Sequence, residues 1–143
     1  SDSSFICCLH SGWKGCLLNI VDSAYKKIKK IQKNNKKIYA IIGPCLNKKN
    51  FEVGQDFKKS FANNNKKYEK YFTTNSLNNK CYFDMRGLIN FQLINLGIEN
   101  IDNVNLDTYE NRDLFYSHRR SFHEKSLPAG RMINIIGFNP IIG

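Results

Sequence analysis

The chain has 143 residues, 41% of them hydrophobic and 13% aromatic, and a formal net charge of +10. That length suits one domain or a large part of one, and this apolar content excludes wholesale disorder. No run approaches the roughly 18 consecutive apolar residues of a membrane-spanning helix, and the polar opening lacks the apolar core of a secretory signal, so a cytoplasmic protein is expected.

The charge suits nucleic acid, a membrane surface or an anionic substrate. The lysines, however, cluster in YKKIKKIQKNNKK (25–37) and NNNKKYEK (63–70), beside asparagine runs. These runs lack the interleaved aromatics of a base-stacking platform, so they read as solvated surface, and neither nucleic acid nor a membrane is the expected partner. Five cysteines is an odd count, and no CxxC pair is present. That is a poor disulfide framework and points to a reducing compartment.

In chain order, SSFICCLH (3–10) reads as a buried strand closed by the turn SGWKG. Leu17, Val21, Ala24, Ile28 and Ile31 then recur at helical spacing, with Lys26, Lys27, Lys29 and Lys30 mostly on the other side. This predicts one amphipathic helix of about five turns, ending near residues 34–35. KIYAIIG (37–43) is a second strand, ended by Gly43-Pro44, so the start of the chain reads as a strand–helix–strand unit with a parallel pair. FEVGQDFKKSF (51–61) predicts a short helix, and the stretch 62–80 a polar loop with a low-complexity insertion.

CYFD (81–84) predicts a short strand, with Asp84 capping the helix that follows. Met85, Leu88, Ile89, Leu93 and Leu96 form the apolar stripe of that helix, and Gly97 is placed to end it in a left-handed conformation. VNLDTY (104–109) and RMINIIGF (131–138) are the last two strand candidates. The fold class expected is mixed α/β, a mixed central sheet flanked by helices, over residues 1–143 as one unit.

Three stretches carry chemistry. His10 ends a strand before a glycine turn, the place where α/β proteins put ligands, so it suits a metal or acid–base work as well as a hydrogen-bonded turn. Cys8, two residues away, would share its strand face and make a metal pair conceivable. Cys45, on the GPC turn, suits a thiolate ligand, a nucleophile or a buried structural thiol. Arg119, Arg120 and Arg131, with His118, suit bidentate recognition of phosphate or carboxylate, or else a basic surface turn.

Taken in order, HSGWKG, IGPC…FEVG, YFDMRGLINFQLINLGIENI and DTYENRDLFYSHRR…AGR resemble the YfiH-type proteins, also described as multicopper polyphenol oxidases or laccase-domain proteins. Their patterns are HAGWRG, IGPCIG…YEVG and FFSYRR…GR, and the match runs over nearly the whole chain. The resemblance implies a fold shared with the catalytic domain of cytotoxic necrotizing factor. It implies a zinc-dependent purine nucleoside phosphorylase acting on adenosine, inosine or methylthioadenosine with inorganic phosphate, and often deaminating adenosine through a zinc-bound water. His10 takes the place of a zinc ligand, while Trp13, Lys14 and Gly15 fall where substrate approaches. Arg119, Arg120 and Arg131 are candidate catalytic or anion-binding groups on chemistry and motif position.

The family's metal site has two further ligands, a histidine in a QVHG-like motif and a cysteine in an ADC motif. Neither motif occurs here. The resemblance therefore implies that an N-terminal part of the same protein supplies them, that this chain is the C-terminal part of the domain, and that it is inactive alone. Cys45 corresponds to the GPC position, not to the ligand cysteine. Lys14 stands where most members carry arginine, His118 where they carry tyrosine, and Asp107 where many carry cysteine. A homodimer is compatible with the resemblance. Copper-dependent phenol oxidation, the older reading of the family, asks for many histidines, and the chain has only His10, His118 and His123. Two further readings stay open: a Cys–His hydrolase, and a basic nucleic-acid-binding module without catalysis.

Overall fold

The structure, a computed structural model, describes residues 5–32 and 37–138. In chain order it contains α1 (Trp13–Leu17), α2 (Ile20–Ile31), β1 (Tyr39–Ile42), β2 (Glu52–Val53), α3 (Gln55–Asn64), β3 (Phe72–Thr74), β4 (Cys81–Phe83), α4 (Met85–Ile94), β5 (Asn100–Asn103) and α5 (His118–His123). The class is the expected mixed α/β. The sheet, though, comes in two pieces: a parallel pair β1–β5 and an antiparallel sheet in the order β2–β4–β3.

The antiparallel sheet holds the core. Phe83, on the middle strand, is fully buried, with ring centroids 4.7 Å from Phe72, 4.8 Å from Phe61 and 5.3 Å from Phe51. Phe61 comes from α3, so the rings join helix to sheet, and their large apolar area dominates the burial. Met85, Leu88, Ile89 and Leu93 of α4 belong to the same buried cluster. The Asp84 carboxylate accepts the Gly87 N–H at 2.8 Å, which caps α4 as the sequence predicts. Gly97 ends the helix region at φ +75, where a side chain would be strained. The buried Gln92 amide donates to the Cys16 carbonyl and the Tyr68 hydroxyl, at 2.8 and 3.2 Å, and so ties α1 to this core.

Several expectations are corrected. The predicted strand 3–10 is not a strand over its described part: residues 5–10 form no regular element and have no ladder partner among the described residues, and a strand needs one. The single long helix is two, because Asn19 adopts a left-handed conformation (φ 51) and its side chain accepts the Asp22 N–H, starting α2 afresh. Its predicted end at 34–35 lies outside the described residues. The stretch 62–80 is largely ordered: α3 runs to Asn64, a 3-10 turn follows with Tyr68 buried, and β3 begins at Phe72. Buried aromatics outweigh the polar residues around them. The strand expected at 104–109 lies earlier, at β5, whose register places Ile42 against Asn103. Pro44 lacks the N–H needed to extend β1 as a regular strand, and only an isolated bridge, Cys45 to Asp107, follows. The strand expected at 131–138 is likewise unpaired among the described residues. Consequently the parallel partner of β1 is β5, not the first segment.

Candidate functional site

α5 is a short helix, and buried polar groups set its position. The Ser117 hydroxyl accepts the Arg120 N–H and starts the helix. The buried Arg120 guanidinium donates to the carbonyls of Thr108, Tyr109 and Phe115, at 2.8, 2.7 and 2.5 Å. Asp107, also buried, accepts from the Asn50 amide at 2.6 Å and from the Tyr109 N–H at 2.8 Å. The Tyr109 hydroxyl then meets Nδ1 of His123 at 2.9 Å. A chain of contacts thus runs from Asn50 through Asp107 and Tyr109 to a histidine on α5.

That histidine lines a cleft of about 1010 Å³. One wall is α5, with His118, Arg119, Phe122 and His123. The facing wall is Phe51 to Gly54, and Trp13 and Lys80 complete the rim. Arg119 donates to the Glu52 carbonyl at 2.8 Å and sits 5.6 Å from the Phe51 ring. Only one of its five N–H donors is used in that described bond, so others remain for an anion. Lys80 pairs with the Glu52 carboxylate at 2.8 Å; the hydrogen bond from that ammonium, more than the carboxylate's charge at a distance, holds Lys80 above its ordinary pKa. Trp13 is half-exposed, 5.2 Å from the Phe57 ring, with the Lys14 ammonium 5.4 Å from its own ring. Two cations, two histidines and several aromatic faces in one concavity suit a planar, uncharged ring carrying or accompanied by an anion.

Of the residues singled out in the sequence, the structure brings Trp13, His118 and Arg119 into this cleft. Arg120 turns inward to its three carbonyls. Arg131 donates to the carbonyls of Ala129 and Gly130, at 2.6 and 3.3 Å, within its own loop. Lys14 is exposed and Gly15 packs near Ile20. His10 is exposed, outside the cleft lining, with its Nε2 over Gly12. Among the described residues no group of three or more His, Cys, Asp or Glu is placed to hold a metal ion. Cys45 is half-buried and its sulfur accepts from Arg86 at 3.3 Å. Burial pushes the Cys45 thiol up, against the opposing pull of Arg86.

Nothing in the sequence hints at Lys80, which sits in a hairpin turn that reads as loop, or at the contact between Tyr109 and His123. That contact spans only 14 positions, but it depends on the turn that Arg120 and Asp107 fix. Phe51 is visible as part of the FEVG motif, not as a wall.

Comparison with known proteins bears on this cleft. Residues 1–139 match the family model described as multi-copper polyphenol oxidoreductase laccase. A purine nucleoside phosphorylase of Rickettsia prowazekii is 30% identical over 122 residues, covering 85% of this chain and 50% of that protein. One of Rickettsia conorii is 31% identical over the same length, with the same coverage. The crystal structure of the Bacillus licheniformis hypothetical protein YfiH superposes with a TM-score of 0.67 at 27% identity, over 79% of this chain and 43% of that one. The chain spans about half the length of the curated relatives it matches. On the family match and on these relatives, the chain belongs to the multi-copper polyphenol oxidoreductase laccase family, as a YfiH-type member.

Proposed function

We propose that the cleft is part of the nucleoside and phosphate site of a purine nucleoside phosphorylase, of which this chain carries one wall. The observation that carries the reading is Arg119, a cation with uncommitted donors inside an aromatic-walled cleft, in a chain whose relatives bear that name. Phosphate binds the Arg119 fork, while Lys80 at the rim offsets the charge of the Glu52 carboxylate that would otherwise repel it. The purine lies against Trp13, whose ring offers a flat apolar face. A phosphate oxygen attacks C1′ of the ribose as the C1′–N9 bond breaks, and the bonding pair leaves with the base. A proton delivered to the base completes the departure, yielding ribose 1-phosphate and free purine. His123, its Nδ1 engaged by Tyr109, has Nε2 left for that transfer. The attack develops positive charge at C1′, so a fixed phosphate beside it stabilises the transition state.

Arg120 is a positioning residue in this scheme: it fixes the turn that carries Tyr109. Lys14, beside the Trp13 ring, extends the positive field at the rim, Arg131 is proposed to act through its own loop, and Gly15 lets α1 pack close to Ile20. Adenosine, inosine and methylthioadenosine share the bond that breaks, so all three are proposed substrates. The described residues do not complete a metal site, since zinc needs about three protein ligands. His10 would supply one zinc ligand, the rest coming from the part of the family domain that this chain does not span. The steps assigned here therefore use only this chain's own side chains, and adenosine deamination is not assigned to them.

The test joins this chain to the half of the Rickettsia prowazekii relative that the match leaves out, and incubates it with inosine, with and without phosphate. Mass spectrometry should find ribose 1-phosphate and hypoxanthine only when phosphate is present. Arg119→Ala and His10→Ala should each abolish them, and the chain by itself should make neither. Base release without phosphate, or activity untouched by both substitutions, contradicts the reading.

A further inference from the structure

Glu52 is the only acidic side chain in the cleft lining among the described residues, and no step of the proposed phosphorolysis uses it. A carboxylate beside an anion site works against it, because it repels the phosphate that Arg119 attracts. Its place is nevertheless fixed. Glu52 of β2 pairs with Tyr82 of β4, and its own carbonyl accepts from Arg119 at 2.8 Å. Lys80 immediately precedes β4; its N–H donates to Oδ1 of Asn78 at 3.1 Å and its carbonyl accepts the Asn75 N–H at 2.8 Å, so the hairpin holds it. The Lys80 ammonium meets one carboxylate oxygen, Oε2, at 2.8 Å. Nothing donates to Oε1 among the described residues, and the Glu52 side chain leaves 44% of its surface in water. A carboxylate offers about four acceptor positions, so most of this one's are unused.

We propose that Glu52 binds the 2′- and 3′-hydroxyls of the ribose, and so selects ribonucleosides over 2′-deoxyribonucleosides. The inference rests on the phosphorylase reading of the cleft. A cis-diol presents two O–H donors side by side, and a planar carboxylate accepts both. The placement follows from Arg119. Phosphate must approach C1′ in line with the departing base, so the base points away from the phosphate ligand. The 2′-hydroxyl, on the next carbon, stays near it. Arg119 is fastened to the Glu52 carbonyl, so the acceptor adjoining the phosphate fork is this carboxylate. Lys80 orients it and offsets its charge, which lets a carboxylate sit beside phosphate.

The test titrates the isotope-labelled chain, followed by NMR, with ribose 1-phosphate, 2-deoxyribose 1-phosphate, inorganic phosphate and free hypoxanthine. Both proposed contact groups belong to this chain, so no turnover is needed. Ribose 1-phosphate should shift the Glu52 and Arg119 signals and bind about tenfold more tightly than its deoxy analogue. In Glu52→Gln that ratio should fall to about two, since an amide oxygen accepts more weakly than a carboxylate. Glu52→Asp keeps the charge but withdraws it by one methylene, and should also lose most of the preference. The readout is the ratio, so any change in the pull on phosphate cancels. Equal affinity for the two sugar phosphates, with Arg119 still shifted, overturns the diol contact and leaves the phosphate site standing. A preference that survives Glu52→Gln also overturns it, as does hypoxanthine shifting Glu52 where ribose 1-phosphate does not. No shift of Arg119 by any of the phosphates overturns the phosphorylase reading of the cleft, and the diol contact with it.

Discussion

Phe83 and Ile135 are both strand-forming apolar residues, and their fates divide the molecule. Phe83 sits on the middle strand of an antiparallel sheet with none of its surface exposed, among four other phenylalanine rings. Ile135 lies in a segment without regular secondary structure, with 89% of its surface in water. The antiparallel side finds its partners within residues 51–98: ring contacts from α3, the stripe of α4, a capping carboxylate and a glycine stop. The parallel side has a two-stranded ladder, β1–β5, with Ile42 in the core, while Tyr39 and Ile41 stay exposed and the segments 5–10 and 131–138 have no ladder partner among the described residues. Apolar sequence is therefore not what separates core from surface here; the availability of a ladder and a facing layer is. Trp13 of α1 belongs with the antiparallel side, with its ring on Phe57 and its indole on the rim of the cleft, so the proposed site depends on that core.

The largest effect that would sharpen this contrast is a core truncation. Phe83→Ala should cost about 3–5 kcal/mol in denaturant unfolding, whereas Ile135→Ala in the same chain should stay within about 0.5 kcal/mol. Similar losses at both positions would erase the distinction between the two sides. Next comes Arg120→Met, which strips three carbonyls of their donor and should cost about 2–4 kcal/mol. Arg120→Lys should recover only part of this, since an ammonium lacks the planar fork. A full recovery would show that charge, not geometry, holds α5.

The smallest effect concerns alkali. Burial pushes the Cys16 thiol up to about 12, against 9.0 for an ordinary thiol. A folded-state pKa raised above the unfolded value gives stability that is whole below about pH 9 and is lost as pH rises towards 12. Denaturation midpoints should fall across that window, and Cys16→Ala should flatten the fall whatever it does to the midpoint at neutral pH. An unchanged slope would place the alkaline loss elsewhere.

Much of the antiparallel side is legible in the sequence, because its signals are local. The cap at Asp84, the stripe from Met85 to Leu93 and the stop at Gly97 each act within a few residues. The helix break at Asn19 is also local, but an asparagine inside a continuous apolar stripe reads as a tolerated polar residue until its backbone is seen. Strand periodicity at 3–10 and 131–138 reports a strand's readiness to pair, not its partner, and pairing is non-local. The cleft is half legible. Trp13 and Arg119 belong to recognisable motifs, while Lys80 and the Tyr109–His123 contact exist only once the hairpin and the Arg120 turn are built. Arg120 looks like its neighbour Arg119 in sequence; a single step along α5 turns one to the cleft and the other to three carbonyls.

The contrast between the two sides is tested most directly by residue-resolved amide hydrogen exchange on the chain alone. The account predicts strong protection for Phe72–Thr74, Cys81–Phe83 and Met85–Ile94, weak protection for β1, and none for 5–10 and 131–138. Uniform protection across both sides, in a monomer, would contradict it.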